Sequence, residues 1–184
     1  MMMDRRSSLA EAGLTVLATA GGRGLTHRAV DRVAGVAEGS TSYYFRTRAE
    51  LLTACAERLA LRTMELVGPP PAVQSDLNGL VELAVRSVHA WTADGGLMIL
   101  ARHELLVESA RHPDLRRQID AATEHVRALL ERRVEEINVS DATDRVADLI
   151  ACLDGLALAH VVAATRGQDS LARSVKRVVV GLLG

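Results

Sequence analysis

Between residues 26 and 48 the chain sets out hydroxyl, phenol, imidazole and guanidinium groups at a spacing suited to phosphate oxygens and base edges. Ser40, Thr41, Ser42, Tyr43 and Tyr44 are consecutive, Gly39 precedes them, Thr26 and His27 lie upstream, and Arg46 and Arg48 follow. Side chains of these types donate to the DNA backbone and, in the grooves, to bases. The first turn of a helix starting here adds backbone N–H groups and a positive dipole end. Tyr43 is the expected DNA-facing phenol, Tyr44 faces either the core or a phosphate, and Phe45 belongs to the core. Glu38 either accepts from a cytosine N4 amine and so specifies a base, or stabilises the first turn of its helix through the dipole.

A second set lies near the middle of the chain. Trp91 and Met98 bracket a short break, and Arg102, His103 and Glu104 interrupt an otherwise apolar run. Unpaired burial of such groups is costly. They either pair with each other and with neighbouring helices or, with Trp91 and Met98 as walls, line a cavity for a small, mostly apolar effector. His103-Glu104 is not a zinc-protease motif, because Val107 stands where the second His is required. Gly21, Gly22 and Gly24 lack the Gly-Lys-Ser/Thr ending of a phosphate loop and read as a helix stop. No nucleophile–base pair, paired catalytic carboxylates or metal set is apparent, so the expectation is a non-enzyme without cofactor or metal.

The elements that position these groups are helical. Leu, Ala and Val recur at helical spacing, aromatic residues are only 2% of the chain, and an all-α fold of nine helices is expected. The first runs from Arg5 to Ala20. Thr26, with Leu25 and Val30 as a hydrophobic staple, caps the second, His27 to Ala34, whose Val30, Val33 and Ala34 face inward. Gly35 makes a turn into a third, Glu38 to Phe45. Thr47 and Glu50 form a capping box before a long fourth helix, Arg48 to Val67, stopped by Pro69, Pro70 and Pro71. Ser75 caps the fifth, Leu97 to Ala110 is a sixth buried on all sides, and a seventh carries Leu115, Ile119, Ala122, Val126, Leu129 and Ile137. The eighth spans Ala142 to Thr165, and Asp169 caps the ninth.

Two short helices joined by a Gly-containing turn match a helix-turn-helix. The stretch from Leu25 to Leu52, LTHRAVDRVAGVAEGSTSYYFRTRAELL, resembles the N-terminal signature of the TetR family of bacterial regulators. The matching features are Thr26, Gly35-Val36, Gly39, Tyr44-Phe45, Arg48 and Leu51-Leu52. Ala37, Glu38 and Ser42 depart from the family's common Ser, Lys and Tyr. The resemblance implies that the third helix enters the major groove and the fourth leads to a ligand-binding and dimerising domain. It thus divides the chain into a helix-turn-helix domain (1–48) and a ligand-binding and dimerisation domain (49–184). The function implied is a ligand-responsive repressor that binds a near-palindromic double-stranded DNA operator as a dimer and is released by a small molecule.

The eighth helix is apolar on more sides than one subunit covers, and the ninth ends in Val178-Val179-Val180 and Leu182-Leu183. Together they predict a homodimer through Leu149, Leu153, Leu156, His160, Val175, Val179 and Leu182, with Asp154 and His160 as register-setting polar contacts. Net charge is −1, with a slight positive balance in the first fifty residues. Cys55 and Cys152 are isolated in apolar stretches and read as small core residues of a reducing compartment. No signal sequence is apparent at the N-terminus, and apolar runs such as Val178 to Leu183 fall far short of the ~20 residues of a membrane span. A cytoplasmic protein without membrane contact is expected.

Overall fold

Asp4 opens the first helix by accepting from Ser7 N–H at 2.8 Å, and the chain then runs through nine α-helices with no strand among the described residues. The structure is a computed structural model that describes residues 4–67, 76–163 and 167–184. The helices are α1 (Arg5–Gly24), α2 (His27–Ala34), α3 (Ser40–Tyr44), α4 (Arg48–Val67), α5 (Leu77–Thr92), α6 (Leu97–Arg111), α7 (Pro113–Glu136), α8 (Ala142–Ala163) and α9 (Gln168–Leu183), with a 3-10 turn at Asp94–Gly96. Pro69, Pro70, Pro71, Ser75 and Thr165, expected to bound helices, lie outside the described residues. Asp76 is the observed cap of α5, accepting from Gly79 N–H at 2.8 Å. Gly167, not Asp169, occupies the N-cap of α9.

The chain divides into two compact units, residues 1–62 with 97–123 and residues 63–96 with 124–184. The chain passes between the units within α4, at Gly96–Leu97 and within α7. In the first unit α1 packs on α6 and α2, and α2 packs on α3. Leu9, Leu14, Leu17, Leu25, Val30, Phe45, Leu51 and Ile99 are fully buried there. Each such side chain is worth about 1.5–3 kcal/mol of transfer free energy. Leu25 and Val30, the two positions of the expected staple, are both buried, and the Thr26 oxygen accepts from Ala29 N–H at 3.1 Å. Val33 corrects the expectation of an inward side chain, since it is 48% exposed. Of α6, Met98, Ile99, Ala101 and Leu105 are buried, whereas Val107 is exposed, so the helix is not covered on all sides.

In the second unit α5, α8 and α9 pack on one another. Leu80, Ala84 and Val88 of α5, Val146, Leu149, Leu153 and Ala157 of α8, and Leu171, Val175 and Val179 of α9 are buried. Their three- and four-residue spacing makes one inward stripe per helix. Four residues expected at a subunit interface, Leu149, Leu153, Val175 and Val179, are therefore already consumed by the subunit's own core. The outward face of α8 carries Ala151, Gly155, Ala159 and Val162 instead, and Cys152, expected in the core, is exposed. On α7, Leu129 is also exposed.

Candidate nucleic-acid interface

The turn between α2 and α3 is built around one carboxylate. Asp31 sits beside Val30 on α2 and is buried. Its Oδ2 accepts from Gly39 N–H at 2.8 Å, and its Oδ1 accepts from Thr41 N–H at 2.7 Å and from the Thr41 hydroxyl at 2.5 Å. A helix start leaves its first N–H groups without intrahelical partners, and here the preceding helix supplies an acceptor for two of them. Burial alone pushes the Asp31 carboxyl up. The Thr41 hydroxyl and N–H, the Gly39 N–H and the charge of His27 outweigh it and hold the group below its ordinary value.

Gly39 has φ 93 at the N-cap of α3, a left-handed conformation that suits Gly and strains other residues. That conformation turns its N–H toward Asp31 and starts the helix two residues later than Glu38. Two expectations change accordingly. Thr41 is fully buried, so it fastens the turn and does not face DNA. The Gly39 and Thr41 N–H groups, expected to await a phosphate, are satisfied within the protein.

What α3 leaves outside is narrower. Tyr43 is 80% exposed and Tyr44 36%, their rings meeting edge to face at 5.2 Å. Ser42 is exposed, while Ser40 is half-buried and its hydroxyl donates to Ala37 O at 2.6 Å. His27 Nε2 donates to Phe45 O at 2.8 Å, tying the start of α2 to the end of α3. Arg6 lies over the Phe45 ring at 4.6 Å and donates to Tyr44 O at 3.3 Å. Glu38 pairs with Arg28 at 2.8 Å on the surface, a charge partner that sequence pattern did not suggest. Exposed pairs of this kind add little stability.

At the start of α4, Thr47 Oγ1 accepts from Glu50 N–H at 3.1 Å, and Glu50 reaches back to Arg46 N–H at 2.8 Å. The capping box is present with its return bond shifted one residue upstream. Arg48 turns inward: it donates to Glu108 of α6 at 2.8 Å and to Gly22 O at 2.7 Å. Gly22 N–H in turn donates to Glu104 at 2.7 Å. The Arg48 hydrogen bond is the main cause holding the Glu108 carboxyl below its ordinary value, against burial and with help from the charges of Arg48, His112 and Arg111. Arg48 is thus engaged inside the protein and not extended toward a phosphate.

The proposed effector residues are divided. Trp91 belongs to the second unit, and Met98, Arg102, His103 and Glu104 belong to the first. Met98 is buried, His103 Nδ1 donates to Ile99 O at 2.9 Å within its own helix, and Glu104 is committed to Gly22. Glu104 thus pairs with a neighbouring helix, whereas His103 bonds a carbonyl of its own helix, an arrangement the sequence did not suggest. No group of three or more His, Cys, Asp or Glu able to hold a metal occurs among the described residues.

Sequence reasoning missed Asp31, Gly22 and Glu108. For Asp31 a signal existed, namely an acid adjacent to the apolar Val30 and ten residues before a Thr that stands two residues after a Gly. For Gly22 and Glu108 none did, because their partners are remote in sequence.

Residues 75–184 match the family described as Tetracyclin repressor-like, C-terminal domain. No curated protein matches the chain. A TetR-family member from Streptomyces coelicolor A3 is similar over 99% of this chain and 99% of its own, with 27% identity and a TM-score of 0.75. The multidrug binding protein EbrR complexed with ethidium matches over 95% of this chain and 98% of its own, with 27% identity and a TM-score of 0.69. A transcriptional regulator from Rhodococcus sp. Rha1 shares the fold at 20% identity, a TM-score of 0.81 and 98% and 96% coverage.

Proposed function

Since the chain belongs to the TetR family of transcriptional regulators, DNA-binding proteins and not enzymes, we propose that it is a cytoplasmic, ligand-responsive repressor. It acts as a homodimer on a near-palindromic operator and is released by a small molecule. The observation that carries this reading is the presentation of α3. Asp31 locks its start, Phe45 roots its end in the core, and Ser42, Tyr43 and Tyr44 are left outside. The hydroxyls contact phosphates and base edges in the major groove, and Tyr43 is the principal contact. Thr26, His27, Gly39 and Ser40 set the pose of that surface, and Glu38 adjusts it at the rim.

Two copies are needed because one short helix reads too few base pairs to be specific, and a twofold axis makes the operator symmetric. Among the described residues α8 alone is long and apolar enough to span a membrane, yet only 28% of its apolar stretch is buried within the subunit. We assign its outward face, Ala151, Gly155, Ala159 and Val162 with Leu156 and Leu182 at the flanks, to the second copy. Small side chains there let two α8 helices approach closely.

The effector is a small, mostly apolar molecule with few polar groups. The binding of ethidium by EbrR supports a planar aromatic of this class. Release follows from the position of α6. Its Glu104 and Glu108 hold the Gly22 backbone of α1 and Arg48 of α4, so a shift of α6 moves the elements that carry α3. A ligand that prefers the shifted state depletes the DNA-binding one.

Titrating the protein onto a selected operator, with and without ethidium as competitor and with a non-intercalating reporter of protein binding, tests this reading. Specific, steeply salt-dependent binding by a dimer supports it. Weak binding indifferent to sequence overturns it.

A further inference from the structure

Two ring nitrogens stand out in the second unit: His89 Nε2 on α5 and His160 Nδ1 on α8 are buried and have no hydrogen-bond partner. They are the only such side-chain atoms among the described residues. A buried polar atom left unpaired costs stability, and a native chain that retains one needs a reason. His160 follows the buried stripe of Leu149, Leu153 and Ala157 by one turn, and although the residue is half-buried its Nδ1 is covered. It differs from His103, whose Nδ1 bonds the carbonyl one turn back. Nothing in helix geometry prevents His160 from doing the same.

The topology brings the two helices' ends together. α5 packs on α8, and both pack on α9. A Cβ placed on Gly96, just past α5, would stand 2.5 Å from Val161 Cγ2, so only Gly permits this approach, and its φ of 78 asks for Gly as well. Val161 adjoins His160, and His89 lies in the last turn of α5, seven residues before Gly96, so the two histidines sit toward the ends of the helices that this approach joins.

We propose that His89 and His160 are the polar handles of an effector site inside the second unit. Their occupant is a flat, largely apolar molecule bearing hydrogen-bond donors, such as an aromatic amine. A neutral imidazole offers one acceptor nitrogen, and two such acceptors on neighbouring helices suit a ligand with a donor at each end. This assignment rests on the ligand-responsive reading above and moves the polar handles from α6 to α5 and α8.

The test is titration of the DNA-free protein with ethidium, whose two aromatic amines are donors, read by its fluorescence. His89→Leu and His160→Leu are compared with the native protein and with His125→Leu, an exposed residue of α7. Each of the first two variants lowers ethidium affinity about tenfold or more, the loss of one buried hydrogen bond. Each also raises the thermal midpoint, because an orphaned nitrogen is gone. His125→Leu changes neither.

A rise in stability with a fall in binding is not produced by a merely structural histidine. Unchanged ethidium binding in folded His89→Leu and His160→Leu overturns the site and leaves the nitrogens holding water only. A native protein that binds no ethidium overturns the ligand class. If a leucine variant does not fold, His89→Met and His160→Met are read in the same way. Operator binding by the native protein is measured in parallel: its absence defeats the regulator reading, whereas its presence with ethidium-competent variants defeats only this site.

Discussion

Arg48 of α4 and Glu108 of α6 meet at 2.8 Å, and Arg48 donates a second hydrogen bond to Gly22 O. With Glu104 on Gly22 N–H, both polar groups of one peptide unit region of α1 are held from α4 and α6. Arg48→Ala leaves Glu108 largely buried without its cation. Removal of one partner of a buried pair costs about 3–5 kcal/mol, but Arg48 is 40% exposed in its side chain, so about 1–2 kcal/mol is expected after solvent screening. Urea unfolding measures it. The same variant keeps the native salt slope of operator binding, because Arg48 is engaged by protein. A slope smaller by about one phosphate contact would return Arg48 to the DNA.

Asp31→Asn separates a scaffold role from a contact role. At neutral pH the variant loses stability by about 1.5–3 kcal/mol, the range for hydrogen bonds to a charged acceptor. The sign of the pH dependence follows from the depressed folded-state values of Asp31 and Glu108. Their contribution is fully present above the ordinary carboxyl values of 3.8 and 4.5 and is lost as pH falls through the lower folded ones. Native protein and Asp31→Asn therefore differ in urea midpoint at pH 7 and converge toward pH 3. A constant difference across that range contradicts the charge-based account.

Tyr43→Ala and Thr41→Val divide recognition from support. Tyr43 is exposed and Thr41 buried. Tyr43→Ala weakens operator binding by about 1–3 kcal/mol with the thermal midpoint unchanged. Thr41→Val removes the hydroxyl donor to Asp31 and lowers the midpoint. Equal effects of both on stability would contradict the division.

The helix spacing and caps of the DNA-reading region were legible in the sequence because they are local. His27 to Ala34 and Arg48 to Val67 are bounded by Thr26, Gly35 and Thr47, which act within a few residues. The face each residue presents was less legible. Val33 satisfies the inward spacing of α2 yet is exposed, because α2 is too short for its periodicity to define a unique inner side. Thr41 looked like a DNA donor because its partner lies ten residues upstream. On α8 the periodicity was legible but the division of its faces was not, because several sides of the helix are apolar. Leu149 and Leu153 are the best hydrophobes and go to the subunit's own core, while Ala151, Gly155 and Ala159 remain outside.

Of the two cysteines, Cys152 reports on the outward side of α8. Burial and the charge of Glu11 push the Cys55 thiol up to about 12, whereas Cys152 is exposed on α8. Only thiolates react readily, so a disulfide-exchange reagent titrates Cys152 alone in the folded protein and both after unfolding. Dilution that dissociates the dimer accelerates the Cys152 reaction, and Gly155→Arg yields monomers by light scattering. A Cys152 rate independent of protein concentration, with Gly155→Arg remaining dimeric, places the subunit contact elsewhere.

The central claim is that paired α3 helices read a symmetric operator. Selection of the native protein against a pool of random DNA duplexes, with Tyr43→Ala run alongside, tests it most directly. The account predicts enrichment of one sequence with twofold-related half-sites, bound by the native dimer and released from Tyr43→Ala at the same salt. Enrichment of no sequence, or of one without twofold symmetry that Tyr43→Ala binds equally well, would contradict it.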